Sequence, residues 1–175
     1  MSLLSMVSGL VEGGVRFVVI GGVAGAAHGS RRLTDDLDIC YEPSQENRKR
    51  LAARLGLWRA YPRGVELSLP FVLDEVTLHR SPMLTLRTDE GDLDCFIAVK
   101  GVGVYSDVAA ASDPANVGAL QFRVLSLPAL IKAKRAAGRP KDQEALLELE
   151  ALQELAPRPR GAAANSRPRR HPPDS

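Results

Sequence analysis

"GGVAGAAHGSRRLTDDLDICYE", residues 21–42, is the stretch on which the reading of this chain turns. It follows the apolar run "VRFVVI" at 15–20 and closes on acids set between Leu37, Ile39 and Cys40. The apolar run is short, β-branched and continuous, which predicts a strand buried on both faces. Gly22 to His28 is rich in small residues and predicts a short helix packed close to that strand. Residues 36–41 predict a second strand. A carboxylate on an apolar strand is costly unless a salt bridge, a capped backbone or a metal ion compensates it.

Side chains alternate faces along a strand, so Asp36 and Asp38 point one way and Asp35 the other. Alternate Cα atoms lie about 7 Å apart, which leaves two same-face carboxylates repelling each other and suits one or two Mg2+ ions between them. Asp94, between Leu93 and Cys95, repeats the arrangement. Three such acids meeting on a sheet form a hard-oxygen site of the kind used in two-metal phosphoryl transfer. The competing reading pairs Asp36 and Asp38 with Arg31, Arg32 or Lys134 at a strand edge. Gly21 and Gly22 weigh against it. They stand between a strand and a helix, where bare backbone N–H groups can approach a phosphate, although two glycines also allow tight packing.

Composition sets the frame. A chain of 175 residues, 45% hydrophobic, is expected to form one domain with its own core. No apolar run approaches the roughly 20 residues that cross a bilayer. The start, "MSLLSMVSGLVEGG", has no basic segment and does not read as a signal peptide. With two cysteines, the expected compartment is the reducing cytoplasm. Net charge is +2, but residues 156–175 hold five Arg and one Asp, or +4, which leaves −2 for the body. Such a body is no nucleic-acid binder by bulk charge. The Pro-, Arg- and Ala-rich tail is expected to be a disordered, solvated extension, with phosphate binding as the other reading.

Apolar spacing predicts a helix over 3–11, stopped by Gly13 and Gly14. "SQENRKRLAARLG", 44–56, predicts a surface helix with Ser44 as N-cap and Gly56 just past its end. Arg48, Lys49, Arg50 and Arg54 make it the ordered patch best charged to meet RNA phosphate. "LPFVLDEVTLHR" (69–80), "MLTLRTDEGDLDCFIAV" (83–99) and "LQFRVLS" (120–126) read as strands, with "TDEGD" as a turn. "PALIKAKRAAG" (128–138) and "PKDQEALLELEALQEL" (140–155) each open with proline and read as helices. The expected divisions are an αβ core at 1–125, a helical segment at 126–155 packed on it, and the basic tail at 156–175. Trp58 and Tyr61 are expected in core packing, with base stacking as the other reading, and His28 in helix packing or at the surface, since Mg2+ prefers oxygen. If the acids share a face, Cys40 and Cys95 lie on opposite faces and cannot form a disulfide.

"IGG", a thirteen-residue spacer and "DLDI" together resemble the signature of the nucleotidyltransferase superfamily, which has the polymerase-β-like fold. Asp94 in "LDCF" stands where that family has its third acid. The segment "LPALIKAKRAAGRPKDQEALLELEAL" resembles the C-terminal part of small bacterial nucleotidyltransferases related to the AbiEii and MenT toxins. The likeness spans residues 15 to about 152. It implies an α+β fold, a mixed-sheet nucleotidyltransferase core with flanking helices and a C-terminal helical pair. It further implies that Asp36, Asp38 and Asp94 hold Mg2+, with Mn2+ as the alternative, and that Asp94 helps activate the attacking hydroxyl. Gly21 and Gly22 would cradle the phosphates, Lys134 would contact the triphosphate, and Asp142 would steady basic side chains around the nucleotide. Many members carry Gly-Ser where this chain has Gly21-Gly22, so one hydroxyl is missing there; Ser30 and Thr34 are the candidates to replace it. The implied activity is Mg2+-dependent transfer of an NMP from an NTP to an acceptor hydroxyl. The acceptor would be a tRNA 3′ end or a protein side chain, and the partner a cognate toxin or antitoxin. The alternative function is a catalytically silent nucleotide-binding or partner-neutralising protein of the same fold.

Overall fold

The computed structural model describes residues 3–66 and 71–155. Helix α1 (Leu3–Glu12) leads into β1 (Phe17–Ile20), and α2 (Gly21–Ala27) starts at the residue after that strand. Then come β2 (Asp36–Tyr41), α3 (Gln45–Leu57), the two-residue β3 (Tyr61–Pro62) and α4 (Glu75–Arg80). The hairpin β4 (Met83–Thr88) and β5 (Gly91–Phe96) is followed by the small ribbon β6 (Ala98–Val99) and β7 (Gly103–Val104). Helix α5 (Tyr105–Ala110), the hairpin β8 (Ser112–Val117) and β9 (Leu120–Leu125), then α6 (Leu127–Ala137) and α7 (Pro140–Leu155) complete the described chain. The expectations for the tail, and for residues 69 and 70, lie outside the described residues.

The main sheet runs β3-β4-β5-β2-β1-β9-β8. It is mixed: β2 runs parallel to β5 and β1 to β9, while the other pairs are antiparallel. All four residues of β1 are buried, as a continuous apolar strand at the centre of a sheet requires. One core joins Met6 and Leu10 of α1, Leu51 and Leu55 of α3, the strands, and Leu130, Ile131 and Leu149 of α6 and α7. Each fully buried Leu contributes roughly 1.5–3 kcal/mol.

Asn47, wholly buried in α3, fixes the register of the two strands that frame the site. Its Oδ1 accepts from the Arg16 backbone N–H at 2.7 Å, and its Nδ2 donates to the carbonyls of Arg16 (2.9 Å) and Glu42 (2.8 Å). The start of β1 is thereby tied to the end of β2, and Ile20 falls opposite Asp38. Register of this kind decides which face every side chain takes. Cys95 pairs with Ile39 and so shares its face, opposite that of Cys40; both thiols are free and buried. Burial pushes the Cys40 thiol up to about 12 and raises the Cys95 thiol as well.

Two sequence expectations are corrected, and one strand was not anticipated. Residues 75–80 form a helix, not a strand, because the Asp74 side chain accepts from the Thr77 N–H at 2.8 Å and caps it. Val76 and Leu78 look like strand alternation, yet only Leu78 is buried. Helix α3 runs through Gly56 to Leu57; Trp58 is buried against Gly9, and the left-handed turn falls on Arg59 (φ 50°). Strand β8, "SDPANV", carried no strand signal in the sequence. It lies at the sheet edge, where a proline costs no ladder bond on the outer side.

Candidate metal and nucleotide site

The parallel register of β2 and β5 sets Asp36 beside Asp92 and Asp38 beside Asp94. All four carboxylates therefore leave the sheet on one face. Carboxylate oxygens of Asp36, Asp38 and Asp94 lie within 4.8 Å of one another. Burial raises the Asp38 carboxyl from its ordinary 3.8 to about 6, and the charges of Asp36 and Asp94 push the same way, while Lys134 and Arg139 oppose them. Burial also raises Asp94, against the pull of Arg63. Crowded, partly buried, all-oxygen donors of this kind fit a hard divalent cation. No ion pair joins Asp36 or Asp38 to a basic side chain among the described residues. Of the partners foreseen for them, Arg32 is paired with Glu144 and Lys134 with Asp142.

Gly21 and Gly22 are bare because the side chain of Asp38 lies on the first and that of Thr34, just before β2, lies on the second. Gly21 has φ +63°, and a Cβ there would sit 2.7 Å from the Asp38 carboxyl carbon. A Cβ on Gly22 would lie 2.6 Å from Thr34 Oγ1 and 2.7 Å from Thr34 Cβ. Real Cβ atoms do not come that close, so both positions demand glycine for reasons additional to any phosphate approach.

Opposite the acids stands a basic cluster built on one buried carboxylate. Asp142 is 2% exposed. It accepts from Lys134 Nζ at 2.9 Å and from Arg139 at 2.6 and 3.3 Å. Burial pushes the Asp142 carboxyl up, but the bonds from Arg139 and Lys134 outweigh this and hold it below the usual range. Two cations on one carboxylate leave a surplus positive charge beside Asp38. Lys134 faces the cleft and Arg139 joins it; Arg139 lay in the quoted "GRPKD" but had no role assigned to it.

Arg63 was not foreseen at all. It follows β3, and its guanidinium bonds both Asp94 and, at 3.2 Å, Asp92. Nothing in "YPRG" marks it, since the contact depends on β3 pairing beside β4. Ser30 and Thr34 both border the cleft. The Ser30 hydroxyl is occupied by Glu148 at 2.9 Å, and Glu148 also accepts from the Arg31 N–H at 2.7 Å. His28 Nε2 lies 2.8 Å from the Leu125 carbonyl, a packing role. On α3, Arg48 pairs with Glu75, Arg50 with Glu46, and Arg54 lies over Trp58, so three of the four basic residues of the expected RNA patch are already engaged.

The cleft enclosed by these groups has a volume of about 610 Å3. Its walls differ. The α6–α7 side presents Lys134 and Arg139, and the β4–β5 side beyond Asp94 presents Met83 and Phe96, followed by Val99 of β6 and then Lys100. One wall can therefore take an anion, and the other offers apolar surface bounded by Lys100, with three carboxylates between them.

No protein-family model matches the sequence, and no curated protein matches it either. Solved structures do. A candidate nucleotidyltransferase from Thermotoga maritima, TM1012, is 16% identical, with a TM-score of 0.55 over 85% of this chain and 90% of that one. The antibiotic-resistance factor ANT(2'')-Ia, in solution, is 17% identical, with a TM-score of 0.53 over 87% of this chain and 88% of that one. A crystal structure of ANT(2'')-Ia with adenylyl-2''-tobramycin gives 18%, 0.52, 87% and 94%. The mixed sheet with its flanking helices, expected from Gly-Gly and Asp-x-Asp, is thus the fold of the nucleotidyltransferases.

Proposed function

We propose that the chain is a metal-dependent nucleotidyltransferase that moves an NMP from an NTP onto an acceptor hydroxyl. The convergence of Asp36, Asp38 and Asp94 beside a cluster of surplus positive charge is the observation that carries this reading. In the reaction an O–P bond forms between the acceptor oxygen and the α-phosphorus, the α–β phosphoanhydride bond breaks, and pyrophosphate leaves. Lys134 and Arg139 would bind the departing phosphates. Asp94 would orient the acceptor hydroxyl and receive its proton. Asp36, Asp38 and Asp94 would hold Mg2+ or Mn2+, which when bound neutralises the triphosphate and lowers the pKa of the hydroxyl. The protein's own share is positioning.

The acceptor we infer is a tRNA 3′ end or a protein side chain, and the biological setting a toxin–antitoxin pair, both on the family resemblance. The charges of the cleft argue against a polyamine such as tobramycin. Its acids among the described lining residues are the three of the candidate metal site and Asp142, whose oxygens are taken by Lys134 and Arg139. The test is incubation with each radiolabelled NTP, Mg2+ and total RNA or total protein, with Asp38→Asn in parallel. A labelled RNA or protein that disappears in the variant is expected. Equal labelling by the variant would end the proposal.

A further inference from the structure

Thr34 and Gly22 fit each other too closely to be independent. A Cβ on Gly22 would meet Thr34 Oγ1 at 2.6 Å, Cβ at 2.7 Å and Cγ2 at 3.1 Å, so the whole threonine side chain rests on the bare Cα of Gly22. The hydroxyl held there donates to Asp36 Oδ1 at 2.8 Å, with the Asp36 carbonyl as a longer second acceptor at 3.3 Å. Threonine is β-branched and stiff at χ1. Packed against Gly22, it has little freedom to turn its hydroxyl away. The segment that carries it is anchored from the other side by Glu148 of α7, which takes the Ser30 hydroxyl and the Arg31 N–H.

We propose that Thr34 is a positioning residue of the cation site and that Gly22 is its seat. By bonding one oxygen of Asp36, the hydroxyl fixes the orientation in which that carboxylate meets Asp38 and Asp94. A carboxylate that ligates a cation is held in this way by an outer hydrogen bond. The reason for the second glycine is then the volume of Thr34, and a serine hydroxyl at position 22 is excluded by the same volume. This rests on the metal-site part of the proposed function and goes beyond it by giving Gly22 a part in holding the cation site, in addition to any phosphate approach.

The test is Mn2+ binding to the nucleotide-free full chain, followed by electron paramagnetic resonance of the free ion. Thr34→Val keeps the shape and removes the hydroxyl. It should weaken Mn2+ binding by roughly tenfold or more, the usual effect of losing an outer-shell partner, with an unchanged melting temperature. Gly22→Ala should weaken Mn2+ binding as well. Adding Thr34→Ala to Gly22→Ala should cost nothing beyond the worse single change, since both act through one contact. Parental Mn2+ affinity in Thr34→Val overturns the inference, as do additive losses in the double variant. If Gly22→Ala does not fold, Thr34→Val alone decides. Mn2+ binding that is lost in Asp38→Asn but unmoved in Thr34→Val sinks this inference and leaves the transferase reading standing. Mn2+ behaviour as expected, with no nucleotide transfer, does the reverse.

Discussion

Asp38→Asn separates a cation site from a structural salt bridge through stability without metal. Burial, Asp36 and Asp94 raise the Asp38 carboxyl from 3.8 to about 6. A raised folded-state pKa means that the ionised form is disfavoured by folding. The cost is absent below the unfolded value, grows as pH rises from about 4 to about 6, and is complete above that. At 1.36 kcal/mol per pH unit it reaches about 3 kcal/mol at pH 7.5. Asparagine has the same shape and no charge, so in EDTA the variant should be more stable than the parent by up to about 3 kcal/mol. For a chain of this length that is a rise in Tm of about 6–12 °C. The gain should vanish near pH 4, where the parent is itself protonated. Mg2+ should raise the parental Tm and leave that of the variant unmoved. Thermal denaturation followed by circular dichroism from pH 4 to 8, with and without Mg2+, measures each quantity. A variant less stable than the parent at pH 7.5 without metal would refute the reasoning, since it would mean that Asp38 is satisfied by fixed partners.

Gly21→Ala should abolish metal binding and lower stability by at least the roughly 1–2 kcal/mol of a left-handed non-glycine residue, because its methyl would also displace the Asp38 carboxylate; denaturant melts and Mn2+ titration check both. Arg63→Met removes the guanidinium that holds Asp94 and Asp92. It should lower kcat by about tenfold or more with little change in the nucleotide KM, and a change confined to KM would show that Arg63 binds nucleotide instead. Ending the chain before Pro128 removes Lys134, Arg139 and Asp142 together with the core residues Leu130, Ile131 and Leu149. That fragment should be insoluble or inactive on expression, whereas a chain ending at residue 155 should keep the full-length Tm and Mg2+ response.

The local elements that build the cleft were legible because each rests on a short-range rule. A continuous β-branched run gave β1, alternation gave the shared face of Asp36 and Asp38, and the proline-opened segments gave α6 and α7. Where a local sign was misread, a cap was involved: Asp74 starts a helix that Val76 and Leu78 disguise as a strand. The convergence of Asp94 on Asp36 and Asp38 needed the family likeness, because nothing local pairs β5 with β2; in the folded chain the register Asp38–Asp94 does so. Other features had no local sign at all. Arg63 reaches Asp94 only because β3 joins β4 at the sheet edge. Gly22 carries the same letter whether it makes room for a phosphate or for Thr34, twelve residues along. Side-chain periodicity is fixed by the backbone of one element and can be read from it. Which side chain occupies the space above a glycine, or the free oxygens of a carboxylate, depends on elements brought together by packing, and only the tertiary structure decides that.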